Sequence, residues 1–315
     1  MQFTKMHGLG NDYVIVDALP RPELEATRDW SALAGAISDR HEGVGSDGLI
    51  LVCPPAAGGH ARMRIFNADG GEAEMCGNGI RCVAALLRGR PEFGSEALDI
   101  ETAAGVRRCR VGQGGAVLVE MGEPRVGPEV CGVVATHLAC EDPCVVRSGD
   151  RDIAFELVSV GNPHAVVFAD RHAWIGEDLS RVVRTIGPQM ETHAAFAEGV
   201  NVQLLRIDRR DRATLHTWER GSGVTRACGT GACAAMAAAV LAGALDRVAT
   251  ITLPGGDLRL SWTPIDDGGD GVVRMEGPAV RSFTGTLAED LADLEVRGRA
   301  MRTAMVQSAD RYPAS

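Results

Sequence analysis

Nine cysteines, at positions 53, 76, 82, 109, 131, 140, 144, 228 and 233, are the residues here best suited to chemistry. None belongs to a C-x-x-C pair, so the spacing fits neither a zinc ribbon nor a thioredoxin-type motif. Two of them share a distinctive setting. Cys76 is followed by Gly77-Asn78-Gly79 and Cys228 by Gly229-Thr230-Gly231. Each C-G-x-G leads into a stretch dense in helix formers, IRCVAALLRGR or GACAAMAAAVLAGAL. The first turn of a helix carries unpaired N–H groups and a partial positive charge. Glycine there lets a ligand approach the backbone, so a carboxylate is well placed. A thiol at the same spot is expected to have its pKa drawn down from ~8.5 toward neutrality. Two such thiols flanking one carboxylate site would suit a racemase or epimerase. One thiolate would remove the α-proton and the opposite thiol would return a proton to the other face.

Those thiols need elements to hold them, and the elements come twice. Sliding the chain against itself by 152 positions lays Cys76 on Cys228, Gly77 on Gly229, Gly79 on Gly231 and Asn67 on Glu219. At an offset of 151, GLGNDYVIVD (8–17) matches SVGNPHAVVF (159–168), pairing Gly10-Asn11 with Gly161-Asn162. Two matches in one order predict a duplication. The expected halves are residues 1–130, holding Cys76, and 131–283, holding Cys228, with either terminus free to cross over. Residues 284–315 fall outside the repeat and are expected to be helical or partly disordered. Leu287, Leu291 and Leu294 mark one helix face, with Thr286 as its N-cap and Gly298 as a weak point. Runs such as YVIVDA, GLILV, RMRIF, HAVVFA, VNVQLLRI and TLHTW, punctuated by Gly, Pro and Asp, read as strands. Two β-rich domains follow, each with one helix that starts at its cysteine.

Composition narrows the class further. The net charge of −10 argues against a nucleic-acid surface, which needs clustered positive charge. Lys5 is the only lysine, which makes pyridoxal-phosphate chemistry an unsuitable reading because that cofactor needs a Schiff-base lysine. The opening MQFTKMHGLGNDYVIVD lacks a signal layout and no run of 18 apolar residues occurs. A soluble cytoplasmic protein with mostly free thiols is therefore expected, with no membrane partner, no metal and no cofactor.

These residues resemble the PLP-independent diaminopimelate epimerases. The opening FTKMHGLGNDYVIVD, then GVGSDG, FNADGGEAEMCGNGIRC, GNPHAVVF, EGVNVQ and WERGSGVTRACGTGACAA, look like family blocks in family order. The resemblance implies a mixed α/β (α+β) fold of two pseudo-symmetric domains. Each would be a β-barrel-like sheet around a central helix, with the active site in the interdomain cleft. It implies Cys76 and Cys228 as the acid/base pair, the first acting on the LL isomer of 2,6-diaminoheptanedioate and the second on the meso isomer. The α-carboxylate would sit on the backbone around Gly77-Asn78 and Gly229-Thr230. Asn11, Asn67, Asn162, Asn201, Glu219 and Arg220 match substrate-binding positions, and His164 and Glu219 match positions that tune the thiols. Taken singly, a Glu-Arg pair is usually a solvated surface pair; the ordered set of blocks is what makes these residues specific. Cys82 and Cys233, inside the helices, read as packing. The resemblance allows a homodimer.

Two departures stand out. Some family members carry glutamine where Gly48 stands, and glutamate is common where Val224 stands. Two rivals remain at this point: a cofactor-independent racemase of another amino acid, such as histidine, and a non-enzyme thiol switch or metal-binding module.

Overall fold

The computed structural model describes residues 1–94, 97–133, 139–140, 143–149, 151–287 and 290–311. Positions 288–289 and 312–315 of the expected C-terminal extension lie outside the described residues. The chain divides into two compact units, Met1–Val117 with Pro278–Ser315, and Leu118–Gly277.

The first unit holds strands β1 (Gln2–Gly8), β2 (Asn11–Asp17), β3 (Gly48–Cys53), β4 (Ala61–Asn67), β5 (Glu72–Ala73), β6 (Leu98–Thr102), β7 (Gly105–Val111) and β20 (Val280–Thr286). Its helices are α1 (Leu24–Thr27), α2 (Trp30–Ser38), α3 (Gly77–Arg88) and α6 (Leu291–Arg311). The pairing order is β20-β1-β2-β3-β4-β6-β7; β2–β3 and β4–β6 are parallel and the rest antiparallel. β5 folds back on β4.

The second unit holds β8 (Ala116–Gly122), β9 (Arg125–Val126), β10 (Ala139–Cys140), β11 (Cys144–Ser148), β12 (Arg151–Ser159), β13 (Pro163–Phe168), β14 (Asn201–Arg209), β15 (Arg212–Glu219), β16 (Gly223–Thr225), β17 (Val248–Leu253), β18 (Gly256–Ser261) and β19 (Val273–Pro278). Its helices are α4 (Leu179–Glu191) and α5 (Gly229–Leu241). Here β12-β13-β14-β15-β17-β18 repeats the alternation of antiparallel and parallel pairs found in β1-β2-β3-β4-β6-β7. The duplication read from the sequence is thus present in the hydrogen-bond ladders.

Each cysteine-bearing helix packs inside its own sheet: α3 on β1, β2, β4, β6 and β7, and α5 on β12 through β15, β17 and β18. That placement explains the composition of α5. Its residues from Ala232 to Ala239 are buried on every side, and a helix surrounded by sheet has no need of a polar stripe. GLILVC in β3 is buried along its whole length, as befits a strand covered on both faces.

The expectation of one helix per half is corrected. α2 and α4 also form, capped by Asp29 and Asp178, whose carboxylates accept from the Ala32 and Arg181 N–H groups at 3.1 and 3.0 Å. Gly35, Gly187 and Pro188 disguise their sequences, yet Gly187 is needed. A Cβ there would lie 2.4 Å from Trp218 Cγ. The expected tail helix also differs at its start. Thr286 ends β20 rather than capping a helix, and the Leu287 N–H donates to the Met1 carbonyl at 2.8 Å. α6 runs through Gly298, because the missing Cβ lets it press on α2; a Cβ would fall 1.9 Å from the Ala32 carbonyl oxygen. Arg299–Asp29 at 2.9 Å and Arg302–Ser31 at 2.6 Å fasten the same contact. Among the described residues, no helix is long and apolar enough to cross a membrane.

Candidate active site

Cys76 is the N-cap of α3, in an extended backbone conformation. Its sulfur takes the place usually held by a Ser or Asp oxygen, accepting from the Gly79 N–H at 3.4 Å. Gly79 lies where a Cβ would be 2.8 Å from Ile50 Cδ1, so glycine lets this first turn press on β3 without displacing the Ile50 side chain. Against the sulfur lies the Tyr13 hydroxyl at 2.9 Å, reaching over from β2. Asn78 is buried, and its Oδ1 accepts from Arg81 Nη2 at 2.7 Å. The fully buried Arg81 also donates to the Gly77 carbonyl at 3.1 Å and the Pro278 carbonyl at 3.3 Å. Gly8 presses the β1–β2 turn onto this guanidinium; a Cβ there would be 2.8 Å from Nη2. The turn carries Leu9 at φ +57°, a conformation L-residues rarely adopt, immediately before Gly10-Asn11.

In the second unit Cys228 N-caps α5 in the same way, accepting from the Gly231 N–H at 3.4 Å with Thr230 Oγ1 at 3.5 Å. Its surroundings differ. It is buried, and the Glu219 carboxylate accepts a hydrogen bond from it. Burial first, then the Glu219 charge, push the Cys228 thiol well above its ordinary value, outweighing the Thr230 and Gly231 hydrogen bonds. The expectation of a lowered pKa at both helix starts is therefore corrected for Cys228. A helix N-terminus favours a thiolate only modestly, whereas full desolvation beside a carboxylate opposes it more strongly.

His164 is wholly buried, with Nε2 at 2.9 Å from Asn162 Oδ1 and Nδ1 at 3.1 Å from Gln203 Nε2. Thr217 donates to Gln203 Oε1 at 2.7 Å, which orients the Gln203 amide so that its NH2 faces His164 Nδ1. The ring therefore carries its proton on Nε2 and presents it to Asn162. Burial, and secondarily the Arg220 charge, drive the His164 pKa down to about 3. Asn201 bridges two segments, donating to the Pro163 carbonyl at 2.8 Å and accepting from the Arg220 N–H at 3.0 Å. Arg220 reaches the Glu198 carbonyl at 2.8 Å. Glu191 holds the turn from below, accepting from Trp218 Nε1 at 2.5 Å and the Gly221 N–H at 2.7 Å. Glu219 accepts in addition from Thr225.

The ladders show why these residues recur together. Tyr13 pairs with Gly48 and Gly48 with Asn67, so the three share one rung across β2, β3 and β4. In the second unit His164 pairs with Asn201; Val202 faces Trp218, so Glu219 lies beside Asn201 on the equivalent rung. Gly48 occupies the rung's middle place, where a Cβ would meet the Phe66 carbonyl oxygen at 2.5 Å. Two rungs away, Ile50–Ile65 in the first unit stands where Gln203–Thr217 stands in the second. Sequence reasoning missed Tyr13, Gln203, Thr217 and Arg81. The repeat offered a signal for the first, since the 151-residue offset lays Tyr13 on His164. Lys5 is held within the first unit by Asp12 and the Gly45 carbonyl. Cys82 and Cys233 are fully buried in their helices, and burial pushes the Cys82 thiol up to about 12.

A family model described as Diaminopimelate epimerase matches residues 3–127 and 156–282, once in each half. Diaminopimelate epimerase 1 of a Nostoc species is 40% identical over 296 residues, covering 91% of this chain and 99% of its own. The diaminopimelate epimerase of a Synechococcus species is 43% identical over 295 residues, covering 92% and 99%. Among solved structures, a hydroxyproline epimerase from Agrobacterium vitis superposes with a TM-score of 0.64 at 16% identity, covering 91% of this chain and 90% of that one. At that identity the likeness is one of fold.

Proposed function

This chain belongs to the diaminopimelate epimerase family, and from that premise we propose how its residues divide the work. The chain is an isomerase that epimerises LL-2,6-diaminoheptanedioate to the meso form on the route to lysine. Its partner is a small molecule, and we assign its place of work to the cytoplasm. The rival reading as a racemase of another amino acid is not favoured by relatives of this kind.

The observation that supports the residue assignment is a thiol at the N-cap of each of two glycine-opened, duplicated helices. In the LL direction the Cys76 thiolate takes the α-proton. The C–H electron pair passes into the α-carbon and its carboxylate, and the Cys228 thiol protonates the opposite face. The resulting Cys76 thiol and Cys228 thiolate are the right pair for the reverse reaction. A buried, carboxylate-backed Cys228 thiol suits the donor's part in this first direction. The α-carboxylate rests on the first-turn N–H groups around Gly77-Asn78 and Gly229-Thr230, which lack intrahelical partners and carry the helix's positive end. Aimed donors in a dry site stabilise the developing negative charge.

Asn11, Asn67, Asn162 and Asn201 supply amide contacts to the substrate, and Glu219 with Arg220 meets its distal ammonium and carboxylate. Arg suits that task because it binds a carboxylate through two parallel bonds. Neutral His164 fixes Asn162 by donating to it, and Glu219 sets the Cys228 thiol.

Cys76→Ala and Cys228→Ala should each lower epimerisation by about 10²–10⁴-fold or more, since each face of the carbon loses its proton carrier. Proton NMR of purified protein with LL-diaminopimelate in deuterated solvent reads both inversion and exchange. Wild-type turnover at either variant would overturn the two-thiol assignment.

A further inference from the structure

Cys76 and Cys228 sit in duplicated frames but keep unlike company, and we propose that Tyr13 is a positioning residue that holds Cys76 as the resting thiolate. The phenolic O–H donates to Cys76 Sγ and thereby sets the direction in which the enzyme is loaded. The proposal rests on the reading of Cys76 as the base for the LL isomer.

The geometry carries it. Tyr13 is 4% exposed and its hydroxyl lies 2.9 Å from the sulfur. Of the two groups the thiol is the stronger acid, ~8.5 against ~10, so the first proton lost belongs to sulfur and the phenol remains a donor. A donated hydrogen bond favours the charged form of its acceptor. The Gly79 N–H at 3.4 Å adds a second donor on the same sulfur.

The second unit shows the arrangement inverted. On the equivalent rung the aromatic place is taken by His164, which turns to Asn162 and Gln203. The place of neutral Asn67 is taken by Glu219, whose charge opposes a thiolate at Cys228. The polar pair Gln203–Thr217 that draws His164 aside is replaced in the first unit by Ile50 and Ile65. Ile50 and Ile65 offer no polar group at those two places, and the phenol hydroxyl lies against the cysteine sulfur. Divergence of the duplicate rungs has made one sulfur a neighbour of a donor and the other a neighbour of an acceptor.

Several titratable groups on α3 and on the strands packed against it have other partners or lie deep, while Arg110 of β7 is exposed to solvent. Arg81 is bonded to Gly77, Asn78 and Pro278. Lys5 of β1 pairs with Asp12 of β2, and Arg64 of β4 pairs with Glu72 of β5. Glu101 of β6 is held by the N–H groups of Ala56, Ala57 and Gly59, and Cys82 of α3 and Cys109 of β7 are buried.

The test is the pH dependence of Cys76 alkylation by iodoacetamide in the full-length protein, read by peptide mass spectrometry. Tyr13→Phe keeps the ring and removes the donor, and it should raise the Cys76 midpoint by about one pH unit. The acid limb of kcat/KM for LL-diaminopimelate should move up with it. Only two tyrosines occur, Tyr13 and Tyr312, so 3-fluorotyrosine incorporated throughout the chain makes Tyr13 a stronger donor and should move the midpoint down. An unmoved Cys76 midpoint in either folded protein would overturn the proposal. Failure of the underlying reading looks different: Cys76→Ala would keep its epimerase activity, whatever Tyr13 does to alkylation.

Discussion

Glu219 sits between two tasks, backing the Cys228 thiol and standing on the rung that carries His164 and Asn201. Its charge raises the Cys228 pKa, so removing the charge must lower it. Glu219→Gln should therefore shift the acid limb of kcat/KM for the meso isomer to lower pH, because that direction needs the Cys228 thiolate. Loss of substrate contact would change the height of the profile and leave the limb where it is. A limb that stays in place would show that burial alone sets this thiol. The two cysteines stood out by repeated spacing, whereas Asn201, Glu219 and Arg220 were singled out as site residues only through the family resemblance. The chemistry of each thiol was not legible, because it depends on depth and on neighbours up to 63 residues away, as in Tyr13 and Cys76.

Strands and the two cysteine-led helices were legible because their apolar runs and glycine-opened starts are local signals. α2 was hidden by Gly35, and α4 by Gly187 and Pro188, of which Gly187 answers to a tertiary neighbour. Gly187 makes room for Trp218, whose indole is in turn held by Glu191 below the Glu219-Arg220 turn. The same logic governs α6. Gly298→Ala would place a methyl against the Ala32 carbonyl and should cost about 1–3 kcal/mol of α6 docking. Limited proteolysis should then cut α6 faster, and the melting temperature should fall. Unchanged cleavage would mean that the Arg299–Asp29 and Arg302–Ser31 contacts suffice to hold the helix without close backbone approach.

For the molecule as a whole, the buried His164 predicts how acid acts on stability. Its folded-state pKa of about 3 lies below the ordinary 6.5. Between those values the unfolded chain binds a proton that the folded chain refuses, so stability is intact above pH 6.5 and falls as pH drops through the window. The expected slope is about 1.4 kcal/mol per pH unit. Burial lowers the His216 pKa as well, so the informative quantity is a difference. Urea unfolding of His164→Gln between pH 4.5 and 6.5 should show a shallower dependence than wild type, and equal slopes would refute the assignment. The duplication was legible from two offset matches, and the sequence left either terminus free to cross over without saying which, since strand exchange leaves no local mark. β1 pairs on one side with β20, a strand that comes from the far side of the second half in sequence, so β1 is synthesised well before its partner. The N-terminal half is thus born with an open edge that the chain cannot close until the second half has also been made. Exposed edges of that kind invite wrong partners. Expression at slowed elongation, or from a gene cut between the halves, should reveal this protein's dependence on chaperones.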